Sequence, residues 1–148
     1  VESVTPAPVD PEVAEIAREV TESVARAADL VGLLTAELFE LPGAGLMINE
    51  LAPRVHNSGH YTIEACDCSQ FENHVRAVLG WPLGNPLMVA PAAVMVNLLG
   101  TEKASGQPRG LDAALRVTGA RVHFYGKLMS GPGRKMGHVP SDPGLNRR

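Results

Sequence analysis

The 148-residue chain has only two cysteines, Cys66 and Cys68, set one residue apart. A bridge between them would close almost no loop, which argues against a disulfide-stapled secreted scaffold. Their spacing is also wrong for the Cys-x-x-Cys pairs from which structural zinc sites are built, so both are expected to be small buried or half-buried side chains in a reducing cytoplasm. Aromatic residues make up just 4%, and 13 basic against 16 acidic residues leave a net charge of −3. Stacking platforms are therefore scarce and no global positive field exists, so no nucleic-acid partner is expected. Long apolar runs are missing too: the stretches around Leu87 to Ala93 and Val94 to Leu99 are short and interrupted by Pro91. Both fall well below the roughly 20 residues of a membrane span, and no membrane partner is expected. No glycine-rich phosphate loop and no repeat period occur. The first residue is Val1, with neither a basic head nor an apolar signal region behind it, so the chain is expected to begin within a longer protein.

What is present suits a folded domain, with 45% hydrophobic residues over a length sufficient for a core. Asp10-Pro11-Glu12 combines a capping carboxylate, a proline for the first helical position and an acid for the positive end of the helix dipole. A helix is predicted from Pro11 to Asp29, with Val13, Ile16, Ala17, Val20 and Val24 on one face and Glu15, Arg18, Glu22 and Arg26 on the other. Extended runs from Leu33 to Leu41 and from Leu46 to Leu51 flank Pro42-Gly43-Ala44-Gly45 and predict a β-hairpin. Ser69-Gln70-Phe71-Glu72 reads as a capping box opening a second helix that Gly80 closes. Further on, residues 94–99 and 121–125 read as strands, 111–117 as a short helix, 101–110 as a loop and 140–148 as frayed. The order predicts an α+β fold, divided into residues 1–85 and 86–148.

Two segments carry chemistry. Asn49-Glu50-Leu51-Ala52-Pro53-Arg54-Val55-His56-Asn57-Ser58-Gly59-His60 gathers a carboxylate, a guanidinium, imidazoles, amides and a hydroxyl in a stretch without helical or strand periodicity after Leu51. If the hairpin turn centres between Gly43 and Ala44, Glu37 lies opposite Glu50. Like charges so placed repel unless a cation lies between them, and Mg²⁺ typically takes one or two carboxylates plus phosphate oxygens. A slip of one residue would part the glutamates, and the sequence leaves both registers open. The second segment, Tyr125 to His138, carries Lys127, Arg134 and Lys135 on a glycine-rich turn able to hold a phosphate. On composition alone a plain basic surface loop is the simpler reading.

The run from Glu37 through Gly84, with its Asn-Glu-x-x-Pro-Arg-x-His-Asn-Ser-Gly-His core, resembles the second half of the ATP-grasp domain of 5-(carboxyamino)imidazole ribonucleotide synthases. Gly133-Arg134-Lys135-Met136-Gly137-His138 resembles the signature of their small C-terminal domain, although Ser130-Gly131 stands where the family usually has an arginine. The resemblance implies an α+β fold, here the second half of an ATP-grasp domain followed by a small β-rich subdomain. It also implies a cytoplasmic ligase that uses ATP and bicarbonate to carboxylate 5-aminoimidazole ribonucleotide through carboxyphosphate. Glu37 and Glu50 would hold Mg²⁺ or Mn²⁺, Asn49 and Glu50 would face the nucleotide, and Arg54 and His56 would be catalytic. Asn57, Ser58, Lys127, Arg134 and Lys135 would bind substrate, the three cations meeting its 5′-phosphate. It further implies a homodimer at full length, with the lysines that grip ATP lying before Val1 and no turnover by the 148 residues alone. Competing readings are another ATP-grasp ligase, such as the formate-dependent glycinamide ribonucleotide transformylase, and a non-catalytic fragment.

Overall fold

The structure is a computed structural model that describes residues 2–141. In chain order the elements are β1 (Glu2–Thr5), α1 (Pro11–Ala27), β2 (Thr35–Leu41), β3 (Gly45–Ala52), a 3₁₀ turn (Asn57–Gly59), α2 (Thr62–Ala65) and α3 (Gln70–Val78). There follow β4 (Ala93–Leu99), α4 (Leu111–Leu115), β5 (His123–Phe124) and β6 (Lys135–Ser141). This mixed α+β chain forms two compact units, one of residues 7–87 and the other of residues 2–6 with 88–141. Among the described residues no helix is long and apolar enough to cross a membrane.

In the first unit, α1 begins where Asp10 Oδ1 accepts the Glu12 N–H at 2.9 Å, and Pro11 follows at the first helical position. It stops two residues short of the predicted end. Asp29 adopts a left-handed conformation, φ 49°, while its N–H bonds the Arg26 carbonyl and that of Leu30 bonds Ala25. These two bonds satisfy the last carbonyls and turn the chain out. The helix packs against β2 and β3, and its outer face carries the Glu15–Arg18–Glu22–Arg26 ion-pair ladder. Helix α3 closes with the same motif around Gly80, φ 68°, with Trp81 N–H on Arg76 O. The capping box at its start is only half formed. Ser69 Oγ accepts the Glu72 N–H at 3.2 Å, but the Glu72 carboxylate binds Arg76 one turn on instead of reaching back to Ser69. A guanidinium is the stronger partner for an exposed carboxylate.

The second unit is built on one antiparallel sheet in the order β1-β4-β6-β5, with Ala93, Met95, Asn97, Met136, His138 and Pro140 buried. Three of its features depart from the sequence expectation. Residues 2–5 form a strand because the edge of β4 accepts them, although Glu-Ser-Val-Thr has no strong strand signal of its own. Residues 135–141 form β6 rather than the end of a loop, so Pro140 and Ser141 are paired in the sheet and not frayed; residues 142–148 lie outside the described residues. Pro140 is tolerated because β5 pairs with β6 only as far as His138, leaving that side of the proline without a strand among the described residues. The strand expected over 121–125 shrinks to His123–Phe124.

Candidate active site

The hairpin brings Glu37 and Glu50 into direct register, but not by the route expected. Its turn is tighter: Leu41 pairs with Gly45, Gly43 and Gly45 take φ of 71° and 78°, and Ala44 N–H closes on Leu41 O. That turn alone would set Glu37 opposite Asn49. A bulge between the Glu37 and Leu38 pairings then inserts Asn49 as an unpaired extra residue on β3, which shifts the register by one and restores Glu37 opposite Glu50. Two residues of β3 thus face Glu37, and Asn49 Nδ2 donates to Glu37 Oε2 at 3.3 Å. The bulge re-aims an amide at the acidic pair.

The loop after β3 turns back to the same carboxylate. His56 Nε2 stands 3.4 Å from Glu37 Oε1, and the imidazole is mostly buried while Glu37 is 43% exposed. The ring's other nitrogen, Nδ1, accepts the Ser58 main-chain N–H at 3.4 Å and lies 2.9 Å from Ser58 Oγ. An acceptor at Nδ1 requires the proton on Nε2, so that N–H points toward Glu37. Arg54 is exposed, with Nη1 bonded to Val55 O at 3.1 Å. Asn57 is half-buried at the start of the 3₁₀ turn. Residues 37, 49, 50, 56 and 58 are therefore joined by register or direct contact, while Arg54 and Asn57 share their loop.

The residue that organises this loop was not singled out from sequence. Gln70 is only 7% exposed and its amide makes two bonds to the His56 main chain, Oε1 from the N–H at 3.1 Å and Nε2 to the carbonyl at 2.8 Å. Its own N–H donates to Thr62 Oγ1, whose hydroxyl donates to Gly59 O at 2.7 Å. Gly59 is needed here because a Cβ would stand 2.7 Å from Gln70 Oε1. His74, read as a packed helix residue, accepts the Leu33 N–H at 3.1 Å and is structural. Cys66 is half-buried and Cys68 buried, both are free, and burial pushes both thiols up from their ordinary range.

In the second unit two cations of the 125–135 segment, Lys127 and Arg134, turn onto main-chain oxygens. Lys127 Nζ donates to Lys135 O and lies 5.6 Å from the Tyr125 ring centroid, and Arg134 Nη1 donates to Met129 O at 2.8 Å. Arg134 precedes β6 and Lys135 opens it, both exposed. Ser130, at the departure from the family pattern, bonds Ala104 O through its N–H.

A divalent ion fits the donor set of the hairpin. Two carboxylates in cross-strand register repel without a cation, and an amide-bearing side chain accompanies them. Among the described residues no group of three or more His, Cys, Asp or Glu could hold a metal, so an ion here would complete its shell from ligand oxygens, the habit of Mg²⁺ rather than of zinc.

Residues 1–71 match the ATP-grasp domain family, and residues 93–140 match the Phosphoribosylaminoimidazole carboxylase C-terminal domain family. An N5-carboxyaminoimidazole ribonucleotide synthase of Synechocystis sp. is 42% identical over 92% of this chain, which spans 37% of that relative. The crystal structure of N5-carboxyaminoimidazole ribonucleotide synthetase from Thermotoga maritima superposes with a TM-score of 0.85 at 46% identity, over 95% of this chain and 39% of that one. The synthase of Aspergillus clavatus, solved in complex with ADP and 5-aminoimidazole ribonucleotide, gives 0.84 at 34% identity over 94% of this chain and 38% of its own. Two family matches in the same order as the two motifs, together with identity above 40% over nine-tenths of its residues, show that the chain belongs to the N5-carboxyaminoimidazole ribonucleotide synthase family of ATP-grasp proteins and spans a little over a third of the relatives named here.

Proposed function

We propose that these residues form part of an ATP-dependent ligase that carboxylates 5-aminoimidazole ribonucleotide in purine synthesis. The observation that carries this reading is the Glu37–Glu50 cross-strand pair, with Asn49 bulged toward it and His56 directed at it. In the reaction a bicarbonate oxygen attacks the γ-phosphorus of ATP, releasing ADP and giving carboxyphosphate. The exocyclic amine of the ribonucleotide then attacks the carboxyl carbon, and inorganic phosphate leaves. Glu37 and Glu50 would hold Mg²⁺, or Mn²⁺ in its place, and the ion would supply charge stabilisation to the transferring phosphoryl group.

Arg54 carries the permanent positive charge of the loop, and with one N–H tied to Val55 O its guanidinium fork can bind the planar bicarbonate anion. His56 keeps its proton on Nε2, so it serves as an oriented donor beside the acidic pair rather than as a free base. Asn57 and Ser58 would line the bicarbonate and the imidazole base of the substrate. Lys127, Arg134 and Lys135 would hold its 5′-phosphate, which would compete for Lys127 and Arg134 with the main-chain carbonyls these two now face. The same reading gives a cytoplasmic homodimer for the complete protein. The 148 residues alone are expected not to turn over, because no glycine-rich phosphate loop accompanies these groups.

The test is release of ADP by the complete protein with Mg²⁺ and bicarbonate, measured with 5-aminoimidazole ribonucleotide and with glycinamide ribonucleotide plus formate. Stimulation by the imidazole substrate alone is expected. Turnover with glycinamide ribonucleotide and formate instead would reassign the site to the transformylase reaction.

A further inference from the structure

Gln70 has no part in the chemistry above, yet its side-chain amide faces three polar atoms of the His56–His60 loop. The orientation of that amide follows from the main chain. Oε1 faces the His56 N–H and Nε2 faces the His56 carbonyl; turning the amide over would set donor against donor and oxygen against oxygen. With one N–H spent on the carbonyl, the second faces His60 Nδ1 at 2.8 Å. That nitrogen must bring its lone pair, so its proton resides on Nε2. An imidazolium would place one N–H against another. The ring is also held by Phe71, whose centroid is 5.1 Å away, and Phe71 follows Gln70 directly on α3.

We propose that Gln70 is a positioning residue that fixes the His56 main chain and holds His60 as a neutral imidazole protonated on Nε2. The consequence is electrostatic. With His60 neutral, that ring adds no positive charge to the guanidinium that Arg54 brings to the loop, and it acts as an oriented dipole. Gly59 serves the same arrangement by leaving room for the amide. The kinetic consequence rests on the proposed carboxylation, but the tautomer does not.

The experiment uses the complete protein labelled with ¹⁵N-histidine, in which the long-range proton–nitrogen spectrum distinguishes protonated from unprotonated ring nitrogens. Wild-type His60 is expected to show a bare Nδ1 and a protonated Nε2. Gln70→Glu keeps the size of the side chain but replaces the donor with a carboxylate oxygen, so His60 should move its proton to Nδ1 or carry one on both nitrogens. In the carboxylation assay the same variant should lose about a hundredfold in kcat, as expected for a displaced loop, with KM for ATP unchanged. A role confined to folding would lower thermal stability and leave tautomer and kcat alone. A wild-type His60 protonated on Nδ1 overturns the proposal, and that spectrum decides even if the variant does not fold. An unchanged tautomer in a folded Gln70→Glu protein overturns it equally. If the wild-type protein lacks carboxylase activity while the tautomer is as stated, the functional reading falls and the role of Gln70 in shaping the loop stands.

Discussion

In the unit of residues 7–87 the buried amide of Gln70 finds a partner for its oxygen and for both amide hydrogens, whereas in the unit of residues 2–6 and 88–141 the buried amide of Asn97 meets none among the described residues. Leaving a buried polar group unsatisfied costs about 1–3 kcal/mol, while a satisfied one adds little net stability but fixes a conformation. The first unit therefore uses its buried amide to specify a loop. The second carries Asn97 opposite His138 in the β4–β6 pairing, with the imidazole of His138 stacked on that of His123 at 4.6 Å, as a polar layer within its sheet. The charged groups differ in the same sense. Glu37 and Glu50 are set against each other by strand register, whereas Lys127 and Arg134 have turned onto main-chain carbonyls of their own segment. One region sets its carboxylates face to face, and the other ties two of its cations to main-chain oxygens.

The largest expected effect separates chemistry from binding. Glu50→Gln in the complete protein should reduce bicarbonate-dependent ADP release by at least about a hundredfold, as loss of a charge-stabilising group does at other sites. Arg134→Ala should instead raise KM for the ribonucleotide by about ten- to a hundredfold, since one charge-assisted bond contributes about 1.5–3 kcal/mol in context. Steady-state kinetics of the two variants with each substrate varied in turn would erase the contrast if both changed kcat alike.

A finer comparison uses two close glycines. Gly59→Ala in the first unit forces a side chain to yield, and displacement of Gln70 should lower kcat by about tenfold or more with modest loss of stability. Gly137→Ala in the second unit would put a Cβ 2.3 Å from the main-chain oxygen of His123, separating β5 from β6. That overlap should cost about 1–3 kcal/mol in thermal unfolding. Activity and melting measured on both variants should therefore change in opposite proportion.

The smallest effect concerns α1. The bond from Arg18 holds Glu15 below the ordinary carboxylate range, and Arg26 followed by Arg18 does the same for Glu22. A depressed carboxylate stabilises the fold above its unfolded pKa, and the contribution is lost as pH falls through the folded value. Circular dichroism should show a slight loss of helix below the carboxylate range that Arg18→Gln lessens. All these groups are exposed, so the change should be small.

Much of the first unit was legible in the sequence because its signals are local. Asp10, Ser69 and Gly80 terminate helices through bonds within four residues of themselves, and Pro42-Gly43 turns a hairpin whose strands adjoin it. The acidic pair is legible in the sequence, but its register arises differently than expected: the turn is one residue tighter, and the bulge at Asn49 compensates. Hairpin register depends on where an irregular residue is placed, which no period reveals. Gln70 was read only as part of a helix start, since a glutamine after a capping serine gives no sign that it will reach His56, fourteen residues earlier. The signal available was Gly59, a small residue amid bulky polar ones, marking a close approach.

By itself the sequence determined where the two long helices start, the hairpin, the identity of the acidic and basic groups and the family to which they belong, because each depends on neighbouring residues or on a contiguous motif. Only the tertiary structure decided that residues 2–5 pair with the distant strand β4, that residues 135–141 form a strand of that sheet, and that Asn49 leaves the ladder to face Glu37. The physical reason is that main-chain hydrogen-bonding groups take whatever partner the fold brings within reach, and that partner leaves no trace in the local order of side chains.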